Sequence, residues 1–244
     1  MQIFKSLDIP DDARHIITNS IVYAITYKIP EIIRTNDLYS TNAARLFGYN
    51  FIFKDIADNL VGNFRTKYIT RGAWTFLLIY EQMLGYTFTI MTEKNFKLLQ
   101  KRLPARIHYL EALIAHNASY KAIEMQTMFD FPEFKRDASA VEQLRCHLLG
   151  NIANEVSNHF LVLFNYAFDK VESVVAILPT AEFGIAYKQD WSNLIDKPYN
   201  VNKTSKQEDK VEDEEPLVKL KPNKRIILTN DIDVSPVEPE FKNL

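Results

Sequence analysis

Residues 73–91 read AWTFLLIYEQMLGYTFTIM and contain the clearest strand pattern in the chain. The first run, 73–80, is rich in aromatic and aliphatic residues on both faces, which is typical of a strand inside a sheet. The second run, 86–91, alternates large apolar residues with threonine, as expected of a strand with one wetter face. Residues 82–85 form a turn between the two runs. The stretch therefore predicts a β-hairpin whose first strand is central.

A second hairpin is predicted further along the chain. Residues 159–168 read HFLVLFNYAF and residues 171–178 read VESVVAIL, with Asp169 and Lys170 near the turn. The frequent β-branched residues of the second run favour strands, although one continuous helix ending at Pro179 is an alternative. Residues 183–187 are predicted to add an edge strand, and Trp191 to lie in a short terminal helix.

Apolar residues at helical spacing predict helices in most of the remaining body. The expected helices begin at Asp11 and are interrupted by Pro30, then cover 41–47, 53–60, 93–102 with Thr92 as the cap, and 107–116 with more helix through Met128, followed by a helix from Asp137 or Ser139 to Ile152. The fold class is therefore α+β, with helices packed on a small sheet of at least four strands in two hairpins. Residues 1–199 are expected to form a single domain.

The composition changes after residue 199. Lys203–Glu215 contains six acidic residues and one apolar residue, so it is predicted to be disordered. Two apolar runs follow, Pro216–Pro222 and Arg225–Thr229. Such runs are candidate docking segments that add a strand or fill a groove on another molecule. Alternatively, one of them returns to the body as a strand, or the tail is inert.

Glycine and cysteine usage exclude several classes of protein. The chain has 6 glycines, whereas average usage would give roughly 17. They are too dispersed for a nucleotide-binding glycine loop or a nucleophile elbow. The single cysteine, Cys146, excludes an internal disulfide and cysteine-rich zinc modules. No signal peptide or membrane span is recognisable, so a cytoplasmic protein that binds no membrane is expected.

No cofactor or metal is expected, because the histidines lack metal-binding spacing. The chain nevertheless offers two sets of carboxylates to a metal-dependent nuclease. Glu81 ends the first hairpin strand and Glu93 opens the following helix, so the two could converge on one ion. Alternatively, Glu81 is a turn residue and Glu93 complements a helix N-terminus. The second set is Glu133 and Lys135 with Asp130 upstream, in a segment that Pro132 makes a predicted loop.

A basic cluster is the distinct electrostatic feature of the chain. Residues 1–199 carry 21 basic and 21 acidic side chains, but residues 65–106 have a net charge of +6, since only Glu81 and Glu93 oppose the cations. The candidate binding residues are Arg65, Lys67, Arg71, Lys94, Lys97, Lys101, Arg102 and Arg106.

The cluster is suited to an anionic partner. Lys94, Lys97 and Lys101 fall on one face of the predicted helix. The candidate stacking residues for nucleic-acid bases are Tyr68, Trp74 and Tyr86. An acidic protein surface is an equally suitable partner. Alternatively, these cations form a solvated face that is paired with acidic residues elsewhere in the body.

Three motifs resemble an uncharacterised family of small proteins from bacteria and their phages. They are RG-x-W-x-FLLIY at 71–80, TEK-x-F at 92–96 and HYL-x-AL at 108–113. The similar stretch covers about residues 70–195. The resemblance implies a bacterial or phage origin and assigns no activity or site residue.

The sequence favours a non-enzymatic binding protein that contacts a protein or nucleic acid through the 65–106 region. The partner and the oligomeric state are not specified by the sequence. A metal-dependent nuclease and an inhibitor that docks through the tail are the alternatives.

Overall fold

A six-stranded sheet with the spatial order β1-β2-β3-β4-β5-β6 forms the centre of the computed structural model. The model describes residues 4–37, 42–101, 106–123 and 137–195, with backbone only for 42–46. The strands are β1 Phe64–Arg71, β2 Trp74–Glu81, β3 Tyr86–Thr92, β4 Asn158–Ala167, β5 Lys170–Pro179 and β6 Ile185–Asp190. Neighbouring strands are antiparallel except β3 and β4, which are parallel. Two antiparallel three-stranded units, β1–β3 and β4–β6, are therefore joined side by side, and the predicted α+β class is confirmed.

The first unit contains the predicted hairpin together with a strand that was not predicted. β2 lies between β1 and β3, which confirms its internal position. Strand β1, FRTKYITR, lies at the edge of the sheet. Its many charged and hydroxyl residues weaken the apolar signal that marks a strand. The β1–β2 turn has two residues, and Gly72 at its first position has a φ of 61°, as a type II′ turn requires.

The second unit confirms the second hairpin and excludes the continuous helix. β4 pairs with β5 from Leu161 to Ala167, with an irregularity after Asn165. β4 is buried along its first seven residues, as expected of a strand covered on both faces. β6 forms the second edge of the sheet, as predicted, and a short 3₁₀ turn, Ser192–Leu194, follows the buried Trp191.

The N-terminal helical segment is longer than the sequence indicates. Helix α1, Asp11–Val22, continues through a π-helical stretch, Tyr23–Lys28, into α2, Ile29–Thr35. Pro30 was expected to interrupt the helix, because proline cannot donate a backbone hydrogen bond. The wider π-helical turns before Pro30 change the local hydrogen-bonding pattern, and the helix continues.

One face of the sheet is covered by the N-terminal helices. Helix α3, Asn42–Asn59, is a single helix where two were predicted, at 41–47 and 53–60. The Ser20 hydroxyl donates to the Asp55 carboxylate at 2.7 Å and ties α1 to α3. The Tyr49 ring of α3 packs edge-on against Phe164 of β4. This side of the sheet is therefore closed over its central strands.

The opposite face is covered by the helices that connect the two units. They are α4 Glu93–Lys101, α5 Tyr109–Ile114 and α6 Ala138–Leu149. Tyr109 stacks on Phe76 of β2 at 4.2 Å between ring centroids. Thr92 caps α4 through a 3.3 Å hydrogen bond from the Asn95 amide, and Asp137 caps α6, as predicted.

The prediction of continuous helix after His116 is wrong for residues 117–123, which the structure describes. A short 3₁₀ turn covers Ala115–Asn117, and residues 120–123 are not helical. The rest of that helix, the 129–135 loop and the predicted disordered tail with its docking segments lie outside the described residues. None of the helices in the described ranges has the length and apolar character needed to span a membrane.

Candidate partner-binding surface

Three of the predicted cations lie on one side of the edge strand β1. Arg65, Lys67 and Arg71 are separated by even numbers of residues, so they share a face of the strand with Ile69. Arg65 and Lys67 are exposed, and Arg71 is half-buried. We call these three residues the β1 cations. The even spacing of Arg65, Lys67 and Arg71 is the signal by which the sequence could have placed them together, once the segment is known to be a strand.

The β1 cations have no salt bridge in the part of the chain that the structure describes. The Arg65 guanidinium donates instead to the carbonyl oxygens of Gly62 and Phe64, at 3.4 and 3.1 Å. The Lys67 ammonium lies near Gly150, 3.7 Å from where a Cβ would stand on that residue. Gly150 ends α6 with a φ of 61°. Lys67 therefore also complements the partial negative charge at a helix C-terminus.

Arg71 affects a neighbouring histidine. The His108 ring caps α5 by accepting a hydrogen bond from the Leu110 amide at 3.2 Å, while the Glu111 carboxylate accepts from the His108 amide at 2.6 Å. Burial, together with the positive charge of Arg71, lowers the pKa of His108 to about 4. His108 is therefore neutral near pH 7, and Arg71 is the only charge of this pair.

The lysines of α4 form a separate patch. Lys94, Lys97 and Lys101, which we call the α4 lysines, are all exposed, and Lys97 pairs with Glu93 at 2.6 Å. Helix α4 packs on β3 and β4, and Gln100 donates to the Phe183 carbonyl beside β6. Since β3 and β4 lie two and three strand positions from β1, the α4 lysines are carried by a different part of the sheet from the β1 cations. Arg106 is exposed before α5, and Arg102 lies outside the described residues.

The candidate stacking residues do not form a platform beside the β1 cations. Tyr68 is 52% exposed, but it lies on the opposite face of β1 from them. The Trp74 ring packs edge-on against Tyr49 at 5.3 Å. The Tyr86 ring lies 5.0 Å from that of Phe160 and 6.2 Å from that of Phe4. Trp74 and Tyr86 are therefore part of the core packing.

The carboxylates proposed for a metal ion are far apart. Glu81 pairs with Tyr86 in the ladder, and Glu93 follows seven residues later along the same strand direction. The separation is about 23 Å, so Glu81 and Glu93 do not converge. The Glu81 carboxylate instead accepts from the amides of Met83 and Leu84, at 3.2 and 2.6 Å, and holds the turn. Asp130, Glu133 and Lys135 lie outside the described residues.

The one fully buried histidine is a structural residue. His159 is 0% exposed, and its two ring nitrogens lie 3.0 and 3.1 Å from the hydroxyls of Thr87 and Thr89. Asn117 accepts from the His159 amide and donates to the His159 carbonyl. Burial lowers the pKa of His159 to about 3. Each polar atom of this neutral ring is satisfied, so none is left to bind a ligand.

Other nucleophile and metal candidates are also accounted for. Cys146 is exposed rather than part of the core, and its Sγ lies 3.5 Å from the Glu142 carboxylate. Among the described side chains, no group of three or more His, Cys, Asp or Glu could hold a metal ion.

Comparison with known proteins finds no significant match among curated proteins and none among solved structures. A family model does match, and it extends over residues 6–231. The match covers every described strand and helix, and it also includes both apolar runs of the tail. The chain therefore belongs to a family of unknown function, DUF5986.

Proposed function

We propose that the protein is a non-enzymatic binding protein that contacts an acidic surface of another protein through the β1 cations. The observation that carries the proposal is the placement of Arg65, Lys67 and Arg71 along one side of an edge strand, with no described carboxylate in salt-bridge distance. Opposite charges across an interface steer the encounter and set its specificity. A bacterial or phage origin and a cytoplasmic location, which the sequence favours, are part of this proposal.

A protein partner is favoured over a nucleic acid by the aromatic rings. Proteins that hold single-stranded nucleic acid combine a cationic groove with rings on which bases stack. Tyr68 faces away from the β1 cations, and the rings of Trp74 and Tyr86 are engaged with Tyr49 and Phe160. None of the three candidate rings is therefore available to stack a base beside the β1 cations, which suits carboxylates better than bases.

Two charge-reversed variants test the proposal. The first is the double variant Arg65→Glu/Arg71→Glu, and the matched control is Lys94→Glu/Lys101→Glu on α4, which changes the net charge equally. Each variant and the wild type serve as bait in a nuclease-treated native lysate, and bound proteins are eluted with rising salt. Circular dichroism verifies that each bait is folded.

We expect the wild type and the α4 variant to capture the same stoichiometric acidic protein, and the β1 variant to lose it. Elution at moderate salt is expected, because exposed charges are screened within about 10 Å at 0.1 M salt. Retention of the partner by the β1 variant contradicts the proposal. So does a bound fraction that consists of nucleic acid and disappears after nuclease treatment.

A further inference from the structure

No described strand pairs with the outer edge of β1, and the hydrogen-bond register identifies the backbone groups that point outward from it. The Gln82 amide donates to the Asn63 carbonyl at 2.9 Å, which makes Asn63 and Gln82 a hydrogen-bonded pair. Hydrogen-bonded and non-hydrogen-bonded pairs alternate along an antiparallel ladder. The pairs Phe64–Glu81, Thr66–Ile79, Tyr68–Leu77 and Thr70–Thr75 are therefore non-hydrogen-bonded.

A second contact gives the same register. The hydroxyls of Thr70 and Thr75 lie 2.9 Å apart, as the closer approach of a non-hydrogen-bonded pair allows. Residues of such pairs direct their N–H and C=O groups away from β2. Thr66, Tyr68 and Thr70 thus present their backbone groups to the outside, and no described strand pairs with this edge of β1.

The other edge of the sheet, β6, is contacted by a neighbouring segment of the chain. β6 has six residues, and the Ile123 amide donates to the Ile185 carbonyl at its start, at 2.7 Å. The chain then leaves β6 through Trp191, whose amide donates to the Val174 carbonyl. A connecting segment therefore contacts β6, whereas β1 is longer, at eight residues, and has no neighbour on its outer side within the described ranges.

We propose that β1 accepts an extended acidic segment of the partner as a seventh strand of the sheet. This inference rests on the proposed function and specifies how the partner binds. Strand addition supplies affinity through main-chain hydrogen bonds, and alternate side chains supply specificity. On an added strand, every second side chain lies on the face of the β1 cations, so glutamates at alternate positions meet Arg65, Lys67 and Arg71.

The charges also indicate which occupant does not fit. A second copy of β1, paired antiparallel about Tyr68, would place Arg65 of each copy opposite Arg71 of the other. Like charges directly opposite each other destabilise a strand pair, and lysine or arginine on an edge strand prevents self-association. An acidic strand is attracted by the β1 cations instead, so the proposed occupant is an acidic segment of another protein.

The probe is a synthetic peptide as long as β1, with glutamate at alternate positions and threonine or valine between them. A control peptide has the same composition with its glutamates in one block. Residue-resolved amide exchange of the full-length protein is measured with each peptide. We expect the amides of Thr66, Tyr68 and Thr70 to be slowed by the alternating peptide and left unchanged by the control peptide.

Two variants separate backbone pairing from charge attraction. Thr66→Pro removes one outward N–H while leaving the ladder to β2 intact, since proline is tolerated on edge strands. Thr66→Ala is the matched control that keeps this N–H. We expect Thr66→Pro to weaken binding of the alternating peptide by roughly tenfold, about the contribution of one hydrogen bond, and Thr66→Ala to bind like the wild type.

The outcomes distinguish this inference from the proposed function. Equal binding of both peptides, or unchanged exchange at Thr66, Tyr68 and Thr70, overturns strand addition, and the edge charges then act only against self-association. If Arg65→Glu/Arg71→Glu still abolishes partner capture in that case, the proposed function remains. If that variant also binds normally, both proposals are wrong. If Thr66→Pro does not fold, the amide exchange of Thr66, Tyr68 and Thr70 in the wild type, with each peptide, decides whether a strand is added.

Discussion

The two three-stranded units of the sheet have the same strand directions but contrasting surfaces. Unit β4–β6 begins with a strand that is buried along seven residues and ends at an edge contacted by Ile123. Unit β1–β3 has at its edge a largely exposed strand, β1, in which only Phe64 and Ile69 are buried and with whose outer side no described strand pairs. The contrast concerns the outer strands, because β2, β3 and β4 all contribute to the core whereas β1 is largely exposed.

The largest expected difference between the units is in core stability. Phe160 of β4 is fully buried and contacts the rings of Phe4, Tyr86 and Phe88. We expect Phe160→Ala to lower the free energy of unfolding by about 3–5 kcal/mol, because it leaves a cavity. Tyr68→Ala on β1 is the control and should cost less than about 1.5 kcal/mol, since the ring is half exposed. Denaturant titration measures both, and equal losses would contradict the difference in burial between β4 and β1.

The junction between the units is expected to be sensitive to acid. His159 of β4 lies against Thr87 and Thr89 of β3, and its pKa falls from an ordinary 6.5 to about 3. Below pH 6.5 the unfolded chain binds a proton that the folded chain takes up only near pH 3. The contribution of the neutral His159 to the unfolding free energy is therefore fully present above pH 6.5. Below that pH, the unfolding free energy should fall by up to about 1.4 kcal/mol per pH unit.

His159→Gln isolates this effect from other titrating groups. The stability difference between wild type and variant should shrink as the pH is lowered from 6.5 to 4, in urea titrations at each pH. NMR provides a check that does not depend on the variant's folding: the His159 ring signals should not shift between pH 7 and 5. A ring that titrates near 6.5 would show that the junction is open to water.

The two hairpin turns at the same end of the sheet provide the next comparison. Gly72 and Phe168 occupy the first turn position in each unit, with φ of 61° and 56°. Phe168 is 99% exposed, so packing does not offset its unfavourable backbone angle. Phe168→Gly should raise the unfolding free energy by about 0.5–1 kcal/mol after the entropy cost of glycine. Gly72→Phe should lower it by a similar amount, as differential scanning calorimetry can measure, and a destabilised Phe168→Gly would contradict the assignment of strain.

The smallest expected effect concerns α4, which connects the two units. The Glu93–Lys97 ion pair is exposed on both sides, with side chains 37% and 50% accessible. Lys97→Ala should therefore change the unfolding free energy by less than about 0.5 kcal/mol. Lys94→Ala, which removes a cation without a described salt bridge, is the control, and chemical denaturation compares the two. A loss above 1 kcal/mol for Lys97→Ala alone would give the pair a structural role.

Apolar patterning was sufficient to predict the central strands β2, β4 and β5. β2, the first seven residues of β4 and the last four of β5 are buried on both faces, so nearly every residue of these stretches carries the signal. The caps Thr92 and Asp137 were also predictable, because capping depends on a side chain and a backbone amide a few residues away. Patterning failed at β1 and at Pro30. β1 is half polar, so its apolar signal is weak. The helix continues past Pro30 through a π-helical stretch, which helical spacing of apolar residues does not predict.

The sequence by itself determined that the chain is α+β, that it contains two hairpins and that its cations concentrate in residues 65–106. These properties depend on local composition and on the spacing of residues along one element. Only the tertiary structure decided how those elements combine: it joined the two three-stranded units through the parallel β3–β4 pair and placed Glu81 and Glu93 at opposite ends of a strand. It also placed β1 at the edge of the sheet, where no described strand pairs with its outer side. Such relations depend on which strands are neighbours and in which direction they run, and residue spacing along a single element carries no record of either.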